Sequence, residues 1–261
     1  MVVEREIIRE IVEKGERLDG RRFVEFRPIK VERGVAKNAE GSAMVELGDT
    51  KVVVGVKLEP GEPFPDSPNE GVLVVSCELV PLASPEFEPG PPGEEAIEIA
   101  RVVDRMIRES EAIDLEKLVI CEGKVWKVMV DIVVLDHGGN LIDASALAAI
   151  SALLDTKIPS YIVEGNEIKI DRTVKKTPLP IKRKPVCVTI AKIADKLIID
   201  PNVSEEEAMD ARLTLGMFEE NGEIKFCSMQ KGGEGGFTYE ELEKALDLAA
   251  EKAKELLKYV E

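Results

Sequence analysis

The stretch KVWKVMVDIVVLDHGGNLIDASALAAISALLD, Lys124–Asp155, contains a change of pattern that organises the chain. Its first thirteen residues are rich in valine and isoleucine and predict a strand, paired with the LEKLVI run just before it. HGGN is turn chemistry. From Leu141 the composition becomes Ala, Ser and Leu, which predicts a buried helix whose small side chains let it approach a sheet closely.

Working outward, the same order of strands and then a helix recurs on both sides. Upstream, residues 3–14 place Ile7, Ile8, Ile11 and Val12 at helical spacing, ended by Gly15. Three aliphatic runs follow RLDGRR: IKVERGVA, SAMVELG and TKVVVGVKL, the last two joined by Gly48-Asp49, a hairpin pair. Residues 59–70 carry too much proline for an interior element and predict a surface loop before the strand GVLVVSCELV. From Glu94 to about Ser110 a helix is predicted, with Ile97, Ala100, Val103, Met106 and Ile107 as its buried stripe.

Downstream come a hairpin at Gly165-Asn166, a loop RTVKKTPLPIKRKP, the strands VCVTIAKIA and DKLIID, and two more strands around Asn221-Gly222. A C-terminal helix closes the chain, opened by a capping box of Thr238 and Glu241. Strands then helix, twice over, with hairpins rather than regular βαβ alternation, predict an α+β fold of two related halves.

At 261 residues the chain can bury a core without disulfides or a metal. The 44% hydrophobic content excludes a disordered chain, and no run of about 18 apolar residues is present to span a membrane. The N-terminus lacks the basic-then-apolar order of a signal peptide, so a cytoplasmic location is expected. Cys77, Cys121, Cys187 and Cys227 lie far apart, without zinc-ligand spacing, and no metal site is expected. His137, the one histidine, sits in the HGGN turn. A formal charge of −16 repels nucleic acid at long range, so RNA or DNA is held only by a local basic patch or a surface shared with a partner. One Gln and six Asn among many charged residues resemble thermophile composition.

Single motifs allow two readings each. KGGEGG, residues 231–236, is either a phosphate-facing loop or a connector, and it lacks the lysine and hydroxyl residue of a nucleotide loop. Lys175, Lys176, Lys182, Arg183 and Lys184 are either phosphate contacts or ordinary surface charge. Arg101, Arg105 and Arg108 share one helical face and suit phosphate oxygens, unless they pair locally with Glu98, Asp104 and Glu109. Asp200, Glu205, Glu206, Glu207 and Asp210 suit a metal or general acid, or else a helix start capped by Ser204.

Taken in order, RLDGRR (17–22), GSAMVELGDTKVVVGV (41–56), DHGGNLIDAS (136–145), IIDP (198–201) and GGFTYEELEKAL near the C-terminus resemble the RNase PH family of phosphate-dependent exoribonucleases. Within it the chain is most similar to the non-catalytic RNase PH-like subunit type of the archaeal exosome ring. The resemblance implies two pseudo-symmetric βαβ-containing halves in residues 17–261, meeting at about 160–185, behind an N-terminal helical extension, residues 1–16. It also implies a catalytic RNase PH-like partner in a trimer of heterodimers, cap proteins with OB-type or KH-type domains, single-stranded RNA as ligand, and inorganic phosphate as co-substrate of the complex. No cofactor of the chain's own is implied.

Two departures set the expected role. Active members carry an arginine pair where this chain has Glu94 and Glu95, and two aspartates six residues apart where it has Ser204 and Asp210. Asp210 is then a remnant, and the chain is expected to be inert alone, structuring its partner's site and binding RNA through Arg101, Arg105 and Arg108 for 3′-to-5′ phosphorolysis. The alternatives are a divergent active exoribonuclease using Asp210, Asp200 and these arginines, or a scaffold that does not touch RNA.

Overall fold

The computed structural model describes residues 2–164 and 167–261. Its first half holds helix α1 (Val2–Glu13), strands β1 (Ile29–Arg33), β2 (Gly41–Leu47), β3 (Thr50–Gly61) and β4 (Val72–Leu79), helix α2 (Glu94–Glu109), a short 3-10 turn, strands β5 (Val119–Cys121) and β6 (Lys124–Asp136), and helix α3 (Leu141–Asp155). The second half holds β7 (Lys157–Glu164), β8 (Glu167–Pro178), β9 (Val186–Ile193), β10 (Lys196–Ile199), α4 (Val203–Ala208), β11 (Ala211–Glu220), β12 (Glu223–Gly232) and α5 (Tyr239–Leu257).

The first sheet runs β1-β2-β3-β6-β4, with β5 hairpinned onto β6, and only β4 and β6 are parallel. Helix α2 lies in the crossover between them. The second sheet runs β10-β9-β11-β12, antiparallel throughout. Since β10 and β11 both oppose β9, they point the same way, and α4 is their crossover. Each half therefore contains a βαβ connection.

Helix α3 is the shared core. It packs on β2 and β3 of one sheet and β9 of the other, and every residue from Leu141 to Leu153 is buried. Close approach depends on small residues: a Cβ on Gly41 of β2 would stand 2.6 Å from the Ala152 carbonyl. Truncating Ile150 or Leu153 to Ala in this layer costs about 2–5 kcal/mol. A smaller cluster forms where Ile8 and Val12 of α1 meet Ile193, Ile198 and Ala208.

Several expectations change. Strand β3 runs on through Glu59 and Pro60, because β2 stops opposite Val56 and leaves β3 an open side that tolerates proline. The RTVKKTP part of the expected loop is strand, paired with β7. The expected turn at Gly165-Asn166 lies outside the described residues, although Glu164 and Glu167 pair across it. Helix α4 is capped by Asn202, not Ser204, in a box with Glu205.

Candidate nucleic-acid interface

Helix α2 lies between two sheet edges, touching β4 on one side and β12 on the other. Its buried stripe is Ala96, Ile99, Val102, Val103, Met106 and Ile107. Ile97, expected inside, is 49% exposed, because α2 packs against β4, α3 and β12 and Ile97 stays on the part of the helix that none of them covers.

The three arginines fall on the exposed side but differ in freedom. Arg108 donates to Asp104 at 2.9 and 3.2 Å and to the Leu73 carbonyl at 3.3 Å. Glu98, four positions from Val102 and three from Arg101, turns away to Arg212 and to Gln230 on β12. Arg101 and Arg105 consequently have no side-chain partner among the described residues. They form a ridge between a groove of about 480 Å3 toward β4 and one of about 740 Å3 that reaches Glu94, Glu95 and Gln230.

The N-terminal end of α2 has the opposite sign. Glu94 and Glu95 fill its first turn, where the helix dipole favours them, after an N-cap glycine with no side-chain cap. With Glu78, Glu86 and Glu88 they line a hollow of about 700 Å3. His137 stacks on Phe87 beside it at 5.3 Å, and burial lowers its pKa. The backbone N–H of Asn140, at the start of α3, donates to Glu206 at 2.9 Å. Burial pushes the Glu206 carboxyl up to about 7, with the charge of Glu95 adding to it. The helix start that would suit a phosphate is thus occupied by the protein's own carboxylate.

The acidic run 200–210 comes apart into separate structural roles. Asp200 is buried and takes both prongs of Arg27, the Arg21 guanidinium at 2.9 Å and the Asn140 amide at 2.9 Å. Burial pushes its carboxyl up, but Arg27 more than offsets this and holds it below its ordinary value. Glu205 takes Arg17 at 2.7 and 2.6 Å. Asp210 accepts from Arg9 of α1 at 2.7 Å and from the Ala194 N–H at 3.2 Å. Ser204 is exposed on α4. The pairing of Asp200 with Asp210 as two working acids is therefore not formed: Asp200 is sealed by Arg27 and Arg21.

Lys231 and Gly232 of KGGEGG end β12, paired with β11, and residues 233–236 connect it to α5. Gly235 donates to the Asp210 carbonyl at 2.7 Å, and a Cβ there would lie 2.8 Å from that oxygen. Among the expected basic group, Arg183 pairs with Glu220 and covers the Phe218 ring at 4.8 Å, and Lys182 pairs with Asp114. The side chains of Lys175 and Lys176 lie outside the described residues. Among the described residues no group of three or more His, Cys, Asp or Glu is placed to hold a metal, and no helix is long and apolar enough to cross a membrane.

Sequence reasoning missed the network of Arg17, Arg21 and Arg27 with Asp200 and Glu205, as well as Asp143. Asp143 is buried, and burial pushes it up to about 7 despite hydrogen bonds from Asn140 and Thr189. The RLDGRR stretch carried part of the hint: Arg17 and Arg21 find Glu205 and Asp200 far along the chain, whereas Arg22 pairs locally with Glu25.

Residues 25–159 match domain 1, and residues 184–252 domain 2, of the RNase PH, 3′ exoribonuclease family. The chain is 48% identical over 260 residues to the exosome complex component Rrp42 of Methanothermobacter thermautotrophicus, covering 99% of this chain and 94% of that protein. It is 54% identical over 250 residues to the Rrp42 of Methanopyrus kandleri, covering 95% and 92%. Among solved structures it is similar to a chain of the Archaeoglobus fulgidus exosome with RNA bound to the active site, with a TM-score of 0.89, 45% identity, and 99% and 98% of the two chains covered. A chain of an archaeal exosome core gives a TM-score of 0.85 at 43% identity, over 99% and 97%. The chain belongs to the RNase PH family of 3′ exoribonucleases.

Proposed function

We propose that this chain is the non-catalytic subunit of an exosome-type ring, inert alone and working in the cytoplasm beside a catalytic RNase PH-like partner. One observation carries the reading: where an arginine pair is expected in an active member, the start of α2 presents Glu94 and Glu95, backed by Glu206 on the α3 N-terminus. One unit charge there acts on an anion with on the order of 4 kcal/mol at about 4 Å in an effective dielectric of about 20, and reversing its sign changes the interaction by about twice that. Phosphate is repelled, and the remnant Asp210 is tied to Arg9.

Arg101 and Arg105 then serve the RNA on its way to the partner's site, with Arg108 in a lesser role. The curated relatives named as exosome components and the similarity to an RNA-bound exosome support this division of labour. In the ring, three such pairs alternate, RNA-binding cap proteins sit above, and inorganic phosphate is consumed at the partner's site. A net charge of −16 fits a subunit that meets RNA only inside an assembly.

The test mixes the pure chain, its catalytic homologue, or both with RNA and phosphate, and measures nucleoside diphosphate release. The chain alone is expected to release none, and addition to the homologue to raise turnover. Phosphate-dependent release by the chain alone would overturn the reading.

A further inference from the structure

The groove between β4 and α2 has a floor that the arginines alone do not explain. It is aliphatic, with Val74, Val75, Ala96, Ile97 and Ala100 in its lining. Val74 and Ile97 are 46% and 49% exposed on its surface. Strand β4 ends its sheet on this side among the described residues, so alternate peptide groups along its outer edge have no strand partner. Arg108 has already taken the one at Leu73.

The rim is cationic. Among the described residues Arg101 and Arg105 stand over the groove without side-chain partners, and the one carboxylate in its lining, Asp104, is committed to Arg108. An occupant must therefore combine negative charge along one side with a flat, largely apolar body, and fit about 480 Å3, a volume in the range of small-ligand sites. A single-stranded RNA meets these conditions, with phosphates for the rim and an unstacked base for the floor.

We infer that this groove is a nucleobase seat, in which one base of the RNA strand lies against Val74, Ile97 and Ala100 while neighbouring phosphates rest on Arg101 and Arg105. The inference rests on the RNA-binding reading above. The Ser76 hydroxyl is tied to Asp131, and no aromatic ring lines the groove. The seat accordingly prefers a base to no base and discriminates little among bases.

The experiment uses the chain assembled with its catalytic homologue. Affinity is measured over a salt series for a uridine oligomer and for copies carrying one abasic residue stepped along the strand. One position is expected to lose affinity about five-fold when abasic, the factor expected from uncovering about 40 Å2 of apolar surface at about 25 cal/mol per Å2. In a Val74→Ser, Ile97→Ser double variant that loss disappears while the salt slope stays, whereas Arg101→Ala with Arg105→Ala lowers the slope by about 1.4.

A salt slope indifferent to the arginine variants would sink the RNA-binding reading itself. A slope that falls, with the same abasic profile in wild type and serine variant, would overturn the seat alone. A flat abasic profile in wild type, together with loss of assembly in the serine variant by mass measurement, would also overturn it and give the groove to the partner subunit.

Discussion

Arg27 clamps Asp200 with two prongs, Nε to Oδ2 at 2.9 Å and Nη2 to Oδ1 at 2.7 Å, and joins residues 173 positions apart. The same carboxylate takes the Arg27 backbone N–H at 2.8 Å, and Arg27 reaches on to the carbonyls of Gly138 and Gly139. Removing one partner strands a buried charge. Asp200→Ala is expected to destabilise the chain by about 3–5 kcal/mol in denaturant titration. Arg27→Lys is expected to recover little, since an ammonium cannot supply the planar pair of donors.

Asp143 gives an opposite dependence on pH. Its folded pKa of about 7 exceeds the ordinary 3.8, so the native state holds this proton more tightly than the unfolded chain. The stability it contributes is fully present below about 4 and declines as pH rises to about 7. A proton on Oδ1 can be donated to Thr189 Oγ1, which in turn faces Thr214 Oγ1 at 2.8 Å. Asp143→Asn mimics that form, so it is expected to match wild type near pH 4 and to gain on it progressively as pH rises to about 7. Asp200, held low, contributes stability above the ordinary carboxylate value that is lost as pH falls through its folded pKa. Melting curves across pH, for each variant, separate the two.

The arginines of α2 should not be equivalent. Arg101→Ala and Arg105→Ala are expected each to cut the salt slope of RNA binding by about 0.7 in the assembled complex, with no change in Tm. Arg108→Ala should change the slope less and cost up to about 1 kcal/mol of stability, because its ion pair with Asp104 is half exposed. Equal slope changes for all three would contradict this ranking.

Asp210→Asn is expected to leave the turnover of the complex unchanged. It weakens the partly exposed contact with Arg9, so the stability loss should stay under about 1 kcal/mol. Removing residues 1–14 is a larger change, since it uncovers Ile193 and Ile198, and should lower the Tm by several degrees.

Local pattern carried much of the fold. The hairpins at Gly48-Asp49 and Asn221-Gly222, the all-round burial of α3 and the Thr238–Glu241 box follow from turn chemistry, composition and capping, which act over a few residues. The misreadings arose where distant chain decides. Ile97 fits an apolar stripe by spacing, yet the two sheet edges that grip α2 set its rotation. Residues 172–178 read as loop until β7 supplies a partner. At the candidate site, the glutamates opening α2 were legible, but the freedom of Arg101 was not, because Glu98 is drawn off by Arg212, 114 residues away. The acidic run 200–210 looks like one cluster and serves four separate partners.

The arginine network also sets an order of events during synthesis. Arg17 leaves the ribosome 188 residues before its partner Glu205. At about 5–20 residues per second, that segment waits roughly 10–40 seconds without its counter-charge. The first sheet can form in that interval, but α1 and the RLDGRR stretch stay undocked until α4 has emerged. A nascent chain stalled before that point would carry its front end open to proteases, with β11, β12 and α5 still to be made.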